Sequence, residues 1–339
     1  MAANRGKRSV CLNLKEATGV EVVKKLVTGA DVFVQNFRPG AIERMGLSYE
    51  VLQSINPALL YVSVSGFGEQ GPYSHKRVYD PVIQALTGLP DMQADAAEAR
   101  PKMVRTVIPD KVSALTTAQA ITAALLERER GDGTGQHIKV AMLDATISFL
   151  WPEALAGLTM VGQEHNVRTG QLAQDLIFQT RDGYITCGAV SDDEWRGMCA
   201  ALDRPDWLDG ERFNTPLGRV QNAKVRLESM SDVLSSRTSA EWLERLDAED
   251  VPCAPVLTRP EILENEQVKA NELIHEYNHP SLGEIRQPRP GARFSRSELR
   301  KEPIAPMLGE HSKEVLQETG ISDADIEALI KENILMARD

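Results

Sequence analysis

The sequence predicts an α/β protein: a large domain built on a parallel sheet with helices on both faces, joined to a smaller domain of mixed α and β structure. Three observations predict it. Strand-like and helix-like segments alternate through the first half of the chain. The strongest helical stretch, residues 111–130, follows an apolar run rich in valine, residues 59–65, and is itself followed by a strand-like segment. Past Gly170 the texture changes to a hairpin and a series of helices. Repeated βα alternation is the signature of a parallel sheet with crossover helices.

Taken in order, residues 9–14 read as a strand, residues 16–28 as an amphipathic helix closed by Gly29, and residues 31–37 as a second strand, together one βαβ unit. Residues 48–55 are helical and stop at Asn56-Pro57, because proline disfavours the helical conformation of the residue before it. Residues 59–65 then form an apolar strand that enters the glycine loop Gly66-Phe67-Gly68. Residues 91–99 are acidic and alanine-rich without periodicity, which predicts an exposed excursion. The helix 111–130 carries arginines in its last turn and is closed by Gly131, Gly133 and Gly135; a strand over 137–143 follows. In the second domain, residues 178–185 predict a hairpin around Asp182-Gly183, with helices over 194–202 and 219–246. Residues 280–306, rich in proline, glycine and arginine, read as a linker, and residues 312–334 as a helical return. The domain boundaries expected from this are 1–165, 166–285 and 286–339.

Composition excludes several function classes. The 339 residues carry 49 acidic and 38 basic side chains, a net charge of −11, which argues against generic binding to nucleic acid or an anionic membrane. An anionic ligand therefore has to meet a local basic cluster. The four cysteines, Cys11, Cys187, Cys199 and Cys253, lack CxxC spacing, and a reduced, metal-free, cytoplasmic protein is expected. No apolar run approaches the roughly 20 residues that span a bilayer.

Several separated segments, in order, resemble the class III CoA-transferase family of the CaiB/BaiF type. They are Asn4-Arg5-Gly6-Lys7-Arg8-Ser9, Ala30-Asp31-Val32, Asn36-Phe37-Arg38-Pro39-Gly40, Arg44-Met45-Gly46-Leu47, Ser65-Gly66-Phe67-Gly68 and Gly71-Pro72-Tyr73. Further along come Tyr79-Asp80-Pro81 with Gln84-Ala85, Gly135-Gln136, Asp182-Gly183, Val251-Pro252-Cys253-Ala254-Pro255-Val256 and Leu308-Gly309-Glu310-His311. The family includes formyl-CoA transferase, carnitine CoA-transferase and the α-methylacyl-CoA racemases. The resemblance implies a Rossmann-like large domain, a smaller α+β domain, and a homodimer in which two ring-shaped chains interlock. It begins inside the family's pattern, since no counterpart of the family's opening strand, its small-residue loop or its Lys-Val-Glu strand is present, so the expected CoA-binding domain is incomplete relative to the family.

The resemblance also implies the chemistry. The family's nucleophilic aspartate precedes the long helix that leads to Gly-Gln, which places it at Asp110 in Ile108-Pro109-Asp110-Lys111. Read without the family, an aspartate at that point is an ordinary helix N-cap, and the two roles are compatible because a helix N-terminus favours a carboxylate. The implied reaction moves CoA from an acyl-CoA donor to a carboxylic acid through an aspartyl-CoA thioester, with no tightly bound cofactor. Tyr79 and Asp80 match the family's active-site pair; racemases place histidine at the first of these positions, whereas tyrosine with an acidic neighbour resembles the transferases, which leaves a racemase-type acid–base enzyme as an alternative, together with a non-catalytic paralogue that binds a complementary chain. By position in the family pattern, CoA contacts fall to Leu12, Asn13, Leu14 and Lys15, to Asn36, Phe37 and Arg38, to Arg44, and to Lys76, Arg77, Val78 and Tyr79, with Lys15, Arg44 and Arg77 as phosphate partners. Formyl-CoA transferases carry a glycine run that closes over the aspartate; residues 171–175 here have none, which points away from oxalate or formate and towards a larger acid.

Overall fold

The computed structural model describes residues 3–94, 100–164, 176–297 and 304–338. It divides into two compact units, residues 1–161 with 294–339 and residues 162–293.

The first unit opens with β1 (Cys11–Leu12), α1 (Ala17–Val27), β2 (Val32–Gln35), α2 (Ala41–Arg44), α3 (Tyr49–Ile55) and β3 (Leu60–Ser65). It continues through α4 (Asp80–Leu86), α5 (Leu89–Met92), α6 (Ile108–Arg130), β4 (His137–Ala141) and α7 (Met142–Leu150). Strands β2, β3 and β4 form a parallel sheet in that order, with Val32 opposite Leu60 and Tyr61 opposite His137. Leu60, Tyr61 and Val62 are consecutive and all buried, the pattern of a parallel strand covered on both faces. Val20, Val27, Ile42, Leu47, Leu52 and Leu59 pack with Tyr61 into one cluster, and Ser48 caps α3 by accepting the Val51 N–H. Arg128, near the end of α6, donates to Ala58 O at 2.8 Å and pairs with Asp31 at 2.7 Å, tying the helix to the starts of β2 and β3. A Cβ on Gly135 would lie 2.0 Å from Leu59 O, so only glycine lets the chain pass from α6 into β4 at this point.

Two expectations change here. The helix predicted over 111–130 begins at Ile108, with Pro109 in its first turn and Val107 as a cap without a side-chain bond. Proline needs no hydrogen-bond partner in a first turn, so it starts this helix rather than preceding it. Asp110 is therefore the third helical residue and not the N-cap. The strand expected over 137–143 stops at Ala141 and gives way directly to α7, because the apolar run that follows fits either period.

The second unit holds β5 (Ile177–Gln179), β6 (Tyr184–Cys187), α8 (Asp192–Ala201), α9 (Asp206–Asp209), α10 (Pro216–Gln221), α11 (Ala223–Leu234), α12 (Ser239–Ala248), β7 (Cys253–Pro255), α13 (Glu266–Ala270), β8 (Ile274–His279) and β9 (Gly283–Pro288). The hairpin β5–β6 turns at Asp182-Gly183, and β7 joins it antiparallel. Phe178, Ile185, Trp195, Met198, Trp242 and Leu246 fill the core. The helix expected over 219–246 is broken into α10, α11 and α12, the last opened by a capping box between Thr238 and Glu241. The stretch expected as a linker over 280–306 supplies instead the turn and second strand of an antiparallel hairpin, β8–β9, held across by Arg286 and Glu276 at 2.7 Å.

The chain then re-enters the first unit with α14 (Ser312–Glu318), α15 (Asp323–Lys331) and β10 (Leu335–Met336). The expected βαβ start is corrected at this point. Only Cys11–Leu12 of the predicted strand forms, and it pairs antiparallel with β10 rather than joining the parallel sheet. Cys11 N–H donates to Ser312 Oγ and Asn13 N–H to Ile334 O, while Val10 and Leu12 pack against Leu316, Leu329 and Ile334. Partners some 300 residues away leave no trace in local periodicity.

Candidate active site

α4 opens with Asp80-Pro81, and its first carboxylate is buried, with 4% of its surface exposed. Asp80 accepts two hydrogen bonds: from Gln84 Nε2 at 2.6 Å, one helical turn on, and from the backbone N–H of Asp110 at 3.1 Å. Both donors are uncharged. Gln84, 2% exposed, also reaches the lead-in to α6: Nε2 contacts Thr106 O at 3.2 Å and Val104 O at 3.3 Å, and Oε1 accepts the Val104 N–H at 3.1 Å. One side chain thus fixes both Asp80 and the irregular segment that leads into the helix carrying Asp110.

The Asp110 side chain is exposed, and among the described residues no donor reaches its carboxylate. Partial burial of its atoms, and next the negative charge of Asp80, push its pKa above the ordinary carboxylate value, with Lys111 pulling the other way. The positive end of the 23-residue α6 faces the same group, and that helix has no side-chain cap. An acid with unfilled lone pairs and raised basicity, in the first turn of a long helix, is placed to attack an electrophile.

At the carboxyl ends of β2, β3 and β4 lies a cleft of about 490 Å³ that includes Phe37, Arg38, Ser65, Phe67 and Lys139 in its lining. Such crevices are where parallel sheets bind ligands. Gln35 and Ser63, which line it, belong to a polar chain across the sheet that ends at His137 outside the lining: His137 Nε2 and Ser63 Oγ are 2.9 Å apart, Gln35 Nε2 donates to Ser63 Oγ at 2.9 Å, and Gln35 Oε1 accepts the Phe37 N–H at 2.8 Å. Burial holds His137 below the usual histidine pKa, and its ring stacks on Tyr49 at 4.8 Å.

Of the residues expected at the site, Asp110 and Asp80 are brought into direct contact, and Tyr79 stands beside Asp80 as the residue before α4, 75% exposed. Phe37 and Arg38 line the cleft, with Asn36 beside them on the same exposed loop. Arg44 ends α2, and a Cβ on Gly40 would lie 3.0 Å from its Nη1, so its guanidinium reaches back over that loop. Val78 packs so closely on Gly66 that a Cβ there would sit 2.4 Å from it, which joins the loop after β3 to the segment holding Lys76, Arg77 and Tyr79. Lys76 lies 3.6 Å from the centre of the Tyr73 ring. Leu12, Asn13, Leu14 and Lys15 belong to the segment at β1 beside the C-terminal ribbon, and among the described residues no hydrogen bond or ion pair links them to the other loops. Lys15, Arg38, Arg44 and Arg77 are without an ion-pair partner among the described residues. The glycine-poor segment 171–175 lies outside the described residues.

Sequence reasoning missed Gln35, Ser63 and His137 altogether and took Gln84 only as a motif residue. Gln84 had a readable signal, since aspartate and glutamine four apart on a helix face one another. The Gln35–Ser63 pair depends on sheet register and had none. Among the described residues no group of three or more His, Cys, Asp and Glu side chains is arranged to hold a metal ion, and no helix is long and apolar enough to cross a membrane.

Comparison with known proteins adds to this geometry. A family model described as CoA-transferase family III matches residues 1–312. The chain is 32% identical to mouse succinyl-CoA:glutarate CoA-transferase over 324 residues, covering 94% of this chain and 73% of that protein. It is 28% identical to the Escherichia coli O157:H7 formyl-CoA:oxalate CoA-transferase over 356 residues, covering 96% of this chain and 83% of that protein. Among solved structures it is similar to a CaiB/BaiF family protein from Brucella suis, with a TM-score of 0.80, 29% identity, and coverage of 94% of this chain and 83% of that one.

Proposed function

The chain belongs to CoA-transferase family III, whose enzymes transfer CoA between acyl-CoA donors and carboxylic acids, and from that premise we propose that it does so through a thioester formed on Asp110. An Asp110 oxygen attacks the donor thioester carbonyl and expels CoA thiolate, leaving an acyl-aspartyl anhydride. The thiolate attacks the aspartyl carbonyl, which releases the donor acid and forms aspartyl-CoA. The acceptor carboxylate attacks that thioester to form a second anhydride, and returning thiolate attacks its acyl carbonyl, giving the new acyl-CoA and free Asp110. Each step exchanges a carboxylate for a thiolate, so protons and electrons balance without a cofactor.

The observation that carries this reading is Asp110 itself: an exposed carboxylate of raised basicity, with no protein donor among the described residues, seated against buried Asp80 in the first turn of α6. CoA binding is assigned to the cleft at the sheet ends and its rim, with Arg38, Arg44, Arg77 and Lys15 for the phosphates and Phe37 for the adenine or pantetheine. Asn36, Leu12, Asn13, Leu14, Lys76, Val78 and Tyr79 complete the proposed contacts. A dicarboxylic acid is the acceptor class to test first, because the mouse and human relatives named for succinyl-CoA and glutarate are 32% and 31% identical over 324 residues.

The protein is further read as a cytoplasmic homodimer of interlocked chains. Four free cysteines support the reducing compartment, and exposed Leu115, Phe149 and Trp151 on and beside α6 and α7 support a subunit contact.

The test is intact-protein mass spectrometry after incubation with succinyl-CoA and hydroxylamine, beside Asp110→Ala. A hydroxamate at Asp110 in the wild type alone is the expected result; acyl transfer to glutarate without any trapped adduct overturns the covalent role.

A further inference from the structure

The carboxylate pair depends on a residue that touches neither substrate nor the reacting atoms. Gln84 is buried, and all of its polar capacity is committed: Oε1 takes the Val104 N–H, while Nε2 faces Asp80 Oδ1, Val104 O and Thr106 O. Its orientation is unambiguous, because a flipped amide would set an oxygen against three acceptors and a nitrogen against a donor. Nε2 therefore always presents hydrogen to Asp80. Asp80 in turn uses its other oxygen for the Asp110 N–H. Asp80 is thereby held as a double acceptor between the Gln84 amide and the Asp110 backbone.

We propose that Gln84 is a positioning residue for the reaction: its amide holds the Asp80 side chain as an acceptor beneath the Asp110 backbone and fixes the 104–106 segment that sets where the Asp110 carboxylate points. This rests on the reading of Asp110 as nucleophile. By holding Asp80 against the start of α6, Gln84 also keeps close to Asp110 the neighbour whose negative charge raises its basicity. The charged groups that act on Asp110 are Asp80 and Lys111; the other helices packed against α4 bring Asp91 on α5 and Asp144 on α7.

The role is separable from packing by pH. In Gln84→Glu the new carboxyl group meets the same three acceptors, so it fits only when protonated, and burial among oxygens raises its pKa. Activity then requires the introduced carboxyl to be protonated and Asp110 to be ionised. The experiment measures kcat and KM for succinyl-CoA with glutarate from pH 5 to 9, in wild type, Gln84→Glu, Gln84→Leu and Asp80→Asn, with thermal unfolding of each.

The expected result is a bell-shaped kcat/KM profile for Gln84→Glu, with an alkaline limb absent from the wild type. Gln84→Leu is expected to lose kcat on the order of 10²-fold at every pH, with KM for the acyl-CoA little changed, as for a displaced reacting group. Asp80→Asn, which keeps the shape and removes the charge, is expected to move the acid limb to lower pH. Profiles parallel to the wild type in both Gln84→Glu and Asp80→Asn overturn the proposal, even where the rates are lower. Should Gln84→Glu fail to fold, an unmoved acid limb in Asp80→Asn overturns it alone. Hydroxylamine trapping on the wild type is read separately: its failure removes the nucleophile assignment, whereas trapping combined with parallel profiles removes only the role of Gln84.

Discussion

Two aspartates, one in each unit, occupy similar positions in the sequence grammar and opposite ones in chemistry. Asp182 sits in the β5–β6 turn and accepts the Ser239 N–H at 2.7 Å and the Thr180 hydroxyl at 3.2 Å. Those donors hold its pKa below the ordinary value, the Ser239 backbone bond first among them. Asp110 sits in the first turn of α6, receives no donor among the described residues, and is held above the ordinary value by partial burial and by Asp80. An aspartate whose lone pairs are filled by its own protein is part of the scaffold. One whose lone pairs are left open beside a buried like charge is available to a substrate, and the protein bears the cost.

The largest way to break the comparison is to exchange each acid for its amide. Asp110→Asn is expected to lower kcat by at least about 10³-fold, the scale on which nucleophiles fail when removed. Asp182→Asn should leave the rate per folded molecule unchanged. Loss of rate in both, measured on protein shown folded by circular dichroism, would erase the distinction.

A titration sharpens it. In the proposed mechanism the anion of Asp110 is the attacking form, so log kcat/KM is expected to fall by about one unit per pH unit below its raised pKa. Stability moves the opposite way. A folded-state pKa above the unfolded one binds the proton more tightly when folded, so ionisation of Asp110 opposes folding above that range, and Asp110→Asn should unfold at a slightly higher temperature than wild type at pH 7. For Asp182 the sign reverses: its contribution is present above the unfolded pKa and is lost as pH falls through the depressed folded value. Differential scanning of Asp182→Asn against wild type should therefore show a lower midpoint at pH 7 and a gap that closes in acid.

The smallest expected effect concerns the phosphate cations. Arg44→Ala is expected to raise KM for the acyl-CoA about tenfold, the scale of one charge-assisted bond, with kcat within twofold of wild type. An unchanged KM would move the CoA phosphates away from the Gly40 loop.

Much of the local structure was legible in the chain. The α3 stop at Asn56-Pro57, the β5–β6 turn at Asp182-Gly183 and the long α6 follow from proline, glycine and helix-former chemistry acting within a few residues. The β8–β9 hairpin was not, because Pro280 and a polar composition hide a period of two. Within the site, the family pattern led to Asp110, Tyr79 and Asp80, while the bond that joins Asp80 to the Asp110 backbone crosses 30 residues.

The sequence by itself determined the family, the alternation that makes a parallel sheet, and which acid stands at the head of the long helix, since each is written in local order and spacing. Only the tertiary structure decided that β1 leaves the sheet for the C-terminal ribbon, that Gln35, Ser63 and His137 form one chain across three strands, and that Gln84 clamps Asp80 under Asp110. These depend on which distant donor finds which acceptor once water is excluded, and a buried polar group takes its partner from the packed structure rather than from its neighbours in the chain.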